Sequence, residues 1–168
     1  FQSLKLSVSG YNTAIGSKAL VAQTSGYDNT AVGYLALGAN TTGDHNVAVG
    51  MMALTTNTTA DQNTGLGNRA LTLNTTGNNN VAVGHNALAA NTTGLRNAAT
   101  GAWALGATTT GANNTAFGTE AGSSVTTGSN NVMLGHQAGR SEITSQNGTL
   151  FIANTNASPH TATVWIYG

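Results

Sequence analysis

The stretch Asn29–Asn46, "NTAVGYLALGANTTGDHN", begins and ends on asparagine, and the residues that follow say nearly the same thing again. Asn12, Asn29, Asn46, Asn63, Asn80, Asn97, Asn114 and Asn131 are spaced by 17 residues without an insertion. Four positions after each stands a glycine, at Gly16, Gly33, Gly50, Gly67, Gly84, Gly101, Gly118 and Gly135. Seven positions after each stands an alanine, from Ala19 to Ala138, usually followed by leucine: Leu20, Leu37, Leu54, Leu71, Leu88 and Leu105. Gly122 and Gly139 replace that leucine in the last two units. The unit is N-[TV]-A-[VIL]-G-x-x-A-L-x-x-N-T-T-G-x-x, and eight copies run from residue 12 to about 147. Its positions are numbered 1 to 17 below, from the leading asparagine.

An unbroken period this short suits a solenoid, in which each repeat is one coil stacked on the last, whereas helical arrays need longer units. "NVAVG" at Asn46–Gly50 and Asn80–Gly84 is β-branched and alternating, while "NTTG" is turn chemistry. Each coil is therefore expected to run strand, bend, short strand, turn. Stacked at about 4.8 Å, eight coils make a rod of roughly 40 Å with like side chains in ladders. Asn29, Asn46 and Asn80 are expected to hydrogen-bond the neighbouring turn, and Gly33, Gly50 and Gly84 to allow the corner. Strand alternation puts Thr30 with Val32, Val47 with Val49 and Val81 with Val83 on one face, with Ala31, Ala48 and Ala82 on the other. A coil this short encloses little, so the leucine column Leu20, Leu37, Leu54, Leu71, Leu88 and Leu105 is expected to form an apolar stripe that a cyclic homo-oligomer covers.

Composition narrows the function. Lys and Arg total 5, Asp and Glu total 5, and the formal net charge is zero. There is thus no electrostatic footprint for nucleic acid and no polybasic patch for anionic lipid. Charged residues are 6% of the chain, against about 25% in an ordinary soluble domain, so solubility falls to Asn, Thr, Ser and Gln. With no cysteine there are neither disulfides nor thiolate metal sites. Apolar runs fall far short of the roughly twenty residues of a membrane-spanning helix, so no membrane insertion is expected.

Chemistry-bearing residues are sparse. His45, His85, His136 and His160 are the histidines; His85 and His136 share a column three units apart, about 15 Å in a stacked model and too far for joint coordination in one chain. No metal site and no cofactor are expected. No G-x-S-x-G elbow and no acidic pair stand out, so no catalytic residue is assigned and the chain is not expected to be an enzyme. Asn40, Asn57, Asn74 and Asn91 open N-T-T sequons, but the turn requires the same letters. Thr41, Thr58, Thr75, Thr92, Thr109 and Thr126 recur once per coil with Thr42, Thr59, Thr76, Thr93, Thr110 and Thr127 behind them. Such ladders are what an ice-binding solenoid presents, although adjacent threonines point to opposite sides of a strand. Tyr27, Tyr34 and Trp103 occupy variable positions and are candidate contacts for sugar rings; Tyr34 and Trp103, one position apart in the unit and near the Ala-Leu column, could equally fill an interchain gap.

"NNVAVG" at Asn79–Gly84, "NNTAFG" at Asn113–Gly118, "NNVMLG" at Asn130–Gly135 and the interposed "ALxxNTTG" resemble the head repeats of trimeric autotransporter adhesins and, more closely, the repeats of bacteriophage tail fibres. "GTLFIANTNASPHTATVWIYG" at Gly148–Gly168 resembles the segment that in many fibre proteins precedes an endosialidase-type intramolecular chaperone, which helps trimerise the fibre and then cuts itself off. The resemblance implies an all-β parallel β-solenoid, or β-roll, assembled as a homotrimer. It further implies a place in a virion tail fibre or on a cell surface, and a host glycan or protein as partner. The expected division is 1–11 as a lead-in from a longer chain, 12–147 as the eight-repeat solenoid, and 148–168 as a cap of two strands, Leu150 to Ala153 and Thr163 to Tyr167. A bacterial adhesin head and a monomeric ice-binding solenoid are the alternatives.

Overall fold

The structure, a computed structural model, describes residues 10–140 and 144–152. Nine strands of three residues, β1 (Thr13–Ile15), β2 (Thr30–Val32), β3 (Val47–Val49), β4 (Thr64–Leu66), β5 (Val81–Val83), β6 (Ala98–Thr100), β7 (Thr115–Phe117), β8 (Val132–Leu134) and β9 (Leu150–Ile152), form one parallel sheet in chain order. The fold is the expected β-solenoid. Like positions pair, as in Thr30 with Val47, Ala31 with Ala48 and Val32 with Val49, up to β8. Between β8 and β9 the register lengthens to 18 residues, Val132 pairing with Leu150. The added residue falls after Ala138, whose carbonyl still accepts from the Gly122 amide, and before Thr144, which meets Thr126 one residue late. Leu150–Ile152 thus adds a ninth rung to the sheet; the second strand expected for the cap, Thr163 to Tyr167, lies outside the described residues, as does the 1–9 part of the lead-in.

Each coil contains one strand where two were expected. The reason is backbone conformation: position 7 (Leu35, φ 57°; Trp103, φ 61°) and position 9 (Leu37, φ 49°; Leu105, φ 50°) are left-handed, which breaks an extended run into consecutive turns. The turns still ladder from coil to coil, as where the Leu37 amide donates to the Ala53 carbonyl at 3.0 Å and the Met52 amide to the Tyr34 carbonyl at 2.8 Å. A left-handed leucine costs about 1–2 kcal/mol. Burying its side chain returns about 1.5–3 kcal/mol and the inter-coil bond about 1 more, so the geometry is favourable.

That burial corrects the expected interface. Leu20, Leu37, Leu54, Leu71, Leu88 and Leu105 are completely buried within a single chain, packed on the alanines of positions 3 and 8. They form no exposed stripe, because the left-handed bend turns them inward to fill the coil. The strand alanines (Ala31, Ala48, Ala82) face the same interior, and the β-branched face of the sheet points outward. Near the C-terminal end the core is repacked: Met133 takes the place of the strand alanine beside Gly122, where a Cβ would lie 2.6 Å from the Met133 Cε and 3.0 Å from Leu105 Cδ2. Volume missing at position 9 is supplied from position 3.

Two columns of buried asparagine fasten the coils. At position 1, the Asn46 amide donates to Asn29 Oδ1 at 2.9 Å and Asn46 Nδ2 donates to the Ala60 carbonyl at 2.8 Å; the same pattern passes through Asn80, whose Nδ2 donates to the Gly94 carbonyl. At position 12 the side chains bond directly: Asn40 Nδ2 to Gln23 Oε1 (2.7 Å), Asn57 to Asn40 Oδ1 (2.8 Å), Asn74 to Asn57 Oδ1 (3.0 Å) and Asn91 to Asn74 Oδ1 (2.7 Å). The run stops where Thr108 turns its hydroxyl to the Val125 carbonyl. Its two ends, Gln23 Nε2 and Asn91 Oδ1, are the buried side-chain polar atoms left without a partner among the described residues.

Two stability predictions follow from this packing. Asn57→Val strands the Asn40 Oδ1 acceptor, whereas Asn91→Val exchanges one unpartnered acceptor for another; valine already stands in this column at Val125. Urea melts should show Asn57→Val less stable than Asn91→Val by about 1–3 kcal/mol, the cost of one orphaned buried group. For the repacked core, Gly122→Leu should overpack and Met133→Ala should leave a cavity, each destabilising by about 1–4 kcal/mol. Together they restore the common pair, and a double-mutant cycle should return at least about 1 kcal/mol of favourable coupling.

Candidate functional site

The coil presents three outward strips; buried positions 12 and 1 bound the third, while the first and second meet at the glycine corner and the open position 6 beside it. The first is the sheet face, positions 2 and 4. Position 4 runs Ile15, Val32, Val49, Leu66, Val83, Thr100, Phe117, Leu134 and Ile152, and the side chains at its two most open rungs, Ile15 and Phe117, are each 60% exposed. Val81, Val132 and Leu150 add exposed apolar groups at position 2. Position 4 is therefore an apolar column over nine rungs, broken by Thr100, flanked at position 2 by a mixture of apolar residues and Thr13, Thr30, Thr64 and Thr115, and neither column bears a charged side chain.

The corner beside this ribbon is set by the glycines. Gly33, Gly50 and Gly84 have φ of 134°, 132° and 134°, and a Cβ on Gly84 would sit 2.6 Å from the Gly101 carbonyl oxygen, so both conformation and close approach exclude a side chain. Asn29, Asn46 and Asn80 are wholly buried next to the strands. All six expected structural residues therefore occupy turns and coil-to-coil contacts.

Past the corner, positions 7, 10 and 11 form the second strip. It contains a groove of about 440 Å³ whose lining includes Trp103, Leu73, Met52, Arg69 and the small residues Ala89, Ala90 and Gly106. The Trp103 ring meets His85 edge-on, with centroids 5.7 Å apart and planes at 78°.

The third strip holds positions 13, 14, 16 and 17. Its two threonine columns differ: Thr41, Thr75 and Thr92 donate their hydroxyls to the carbonyl of the next coil's position 13, at 2.9–3.1 Å, while Thr42, Thr59, Thr76, Thr93, Thr110 and Thr127 are exposed in single file. Asp44 Oδ1 accepts from the Tyr27 amide and Asp61 Oδ1 from the Asp44 amide, so these carboxylates bridge turns. The Asp44 charge, with a lesser contribution from desolvation, holds the Tyr27 phenol above its ordinary pKa. His45 Nε2 lies 3.5 Å from Asp28 Oδ2. The other ion pair belongs to the second strip, where Glu120 at position 7 accepts from Arg140 (2.9 Å) and Gln137 (2.8 Å). No three His, Cys, Asp or Glu residues converge on a point among the described residues.

The three aromatic candidates do not form one site. Tyr27 stands on the third strip against the His45 ring (5.3 Å, 79°), and Tyr34 and Trp103 lie four coils apart, roughly 19 Å along the rod. Only Trp103 borders the groove. His85 and His136 are both exposed, and His160 lies outside the described residues. The sequon asparagines Asn40, Asn57, Asn74 and Asn91 are buried with their amide nitrogens already bonded, which leaves them closed to glycosylation in the folded coil. Sequence reasoning passed over these four as turn letters. Their signal was a second column of asparagine in four successive units, bordered by Gln23 and Thr108, which are likewise able to hydrogen-bond.

No family model matches the chain, and no curated protein or solved structure is significantly similar to it.

Proposed function

We propose that the chain is a rigid, non-catalytic segment of a trimeric fibre, of the kind found in bacteriophage tails, that holds or forms a host-attachment surface on a virion or cell exterior. The observation that carries this reading is the apolar sheet face. The face is about 40 Å long, and even with its threonines included it is on the order of 400 Å², comparable to the largest patches of ordinary monomers, which are often functional; what supports an interface is that its apolar groups line up in one unbranched column. Three chains with parallel axes can turn these faces toward a common centre, each contacting two neighbours in a closed ring. The trimer interface then comprises Ile15, Val49, Phe117 and their column, in place of the leucines. Three identical copies also display any lateral surface three times, which turns weak contacts into avidity.

The bacterial adhesin head shares this arrangement and differs only in its owner. An ice-binding solenoid is favoured by one observation, the exposed file Thr42 to Thr127, but the adjacent threonine column spends its hydroxyls on the neighbouring coil.

Light scattering on a sizing column should give about three times the 16.8 kDa chain mass, stable to dilution. Val49→Glu combined with Phe117→Glu places two charges on the exposed ribbon, and should yield a monomer with an unchanged circular dichroism spectrum. A native chain that runs as a monomer and shows thermal hysteresis would replace the fibre reading with ice binding.

A further inference from the structure

We propose that the groove beside Trp103 binds a carboxylate-bearing saccharide. The proposal deepens the attachment reading above and rests on it for its biological sense, although the binding itself is a property of one chain. The groove exists because residues on successive coils differ in size. Ala89, Ala90 and Gly106 form a low patch between the bulk of Trp103, Leu73 and Met52. Its volume of about 440 Å³ falls within the range of small-ligand sites, about 300–1,000 Å³. Trp103 is 48% exposed yet constrained, by the His85 ring at its edge and by its amide donating to the His85 carbonyl at 2.9 Å. An aromatic surface that is open and already ordered loses little freedom when a ring stacks on it.

Charge selects the ligand. Arg69 is the one charged residue lining the groove, and among the described residues its guanidinium makes neither an ion pair nor a hydrogen bond. The occupant must therefore offer an apolar face to Trp103 and Leu73 and an anionic group to Arg69. A purely apolar chain would desolvate the guanidinium without pairing it, and a simple anion would leave the aromatic wall unused. An extended peptide is disfavoured because the local main chain is already spent: the Asn86 amide donates to the Asn68 carbonyl and the Ala90 amide to the Gly106 carbonyl, leaving no free edge to pair with a strand. A pyranose ring with a carboxylate meets all these demands, its C–H face on the indole and its carboxylate on the arginine fork.

The test is titration calorimetry and saturation-transfer NMR of the intact chain with trigalacturonate and with 3′-sialyllactose, which separate uronate from sialate as the source of the carboxylate. Binding of either at millimolar affinity or better, lost with the methyl ester, is expected. Trp103→Asn and Arg69→Gln should each weaken it by about tenfold or more. Both replacements occur in the same column, at Asn86 and Gln137, where the backbone is likewise left-handed, so the variants should fold; melting curves check this. No binding of either sugar, equal binding of the methyl ester, undiminished binding by Trp103→Asn, or tighter binding of the peptide Glu-Phe-Glu would each overturn the proposal. Light scattering on the same samples keeps the readings apart: a trimer that binds no sugar refutes the groove alone, and a monomer that binds through Trp103 refutes the fibre alone.

Discussion

Every coil depends on the coil before it for an acceptor. The position 1 asparagine is buried at a place where a backbone amide of the following coil would otherwise point into the interior without a partner. Its Oδ1 takes that amide, and its Nδ2 satisfies a carbonyl near the next turn. Leaving such groups unpaired costs about 1–3 kcal/mol each, and the same arrangement recurs along the rod. A side chain that is too short, too long or lacking either function breaks two bonds at once. This one constraint fixes the length of the unit, because any change in the arc between successive asparagines must be absorbed before the next rung forms. The lengthened coil before β9 absorbs its extra residue beyond Ala138 and regains the pattern when the Thr149 amide finds Asn131 Oδ1 at 2.9 Å.

The period, the strand at positions 2 to 4, the glycine corner and the stacking of like on like were legible in the sequence because each is stated by residue type at a fixed spacing. The orientation of the strand was not. Both of its faces are apolar, one of alanine and one of valine, isoleucine or leucine, and hydrophobicity alone favours burying the larger set. The coil does the reverse because its interior is only wide enough for one leucine opposite small residues. The leucine at position 9 was misjudged for a related reason: a left-handed bend at a non-glycine residue leaves no mark in composition, and it is that bend which sends Leu37 or Leu88 inward. The single-strand coil follows from the same bends.

The groove was hidden for a different reason. Trp103 was visible as an aromatic at a variable position, but Arg69, Leu73 and Ala89 become its neighbours only after the coils are stacked. A repeat protein separates these two kinds of information. The invariant columns build the scaffold and can be read from one unit, while the variable columns write a surface that exists only across units. Function, where this chain has it, is expected in the second kind, on ground kept rigid by the first.

The asparagine columns also give the molecule a direction. In the asparagine-to-asparagine bonds of both, the donor belongs to the later coil and the acceptor to the earlier one, while the position 1 Nδ2 groups donate forward to a carbonyl 14 residues on. The position 12 column accordingly begins on an unspent donor, Gln23 Nε2, and finishes on an unspent acceptor, Asn91 Oδ1. That column is a vector, with chemically unlike ends and side-chain amides bonded head to tail from one to the other. Units grafted between such rods can join only head to tail, and a segment inserted in reverse would set donor against donor and acceptor against acceptor at the seam.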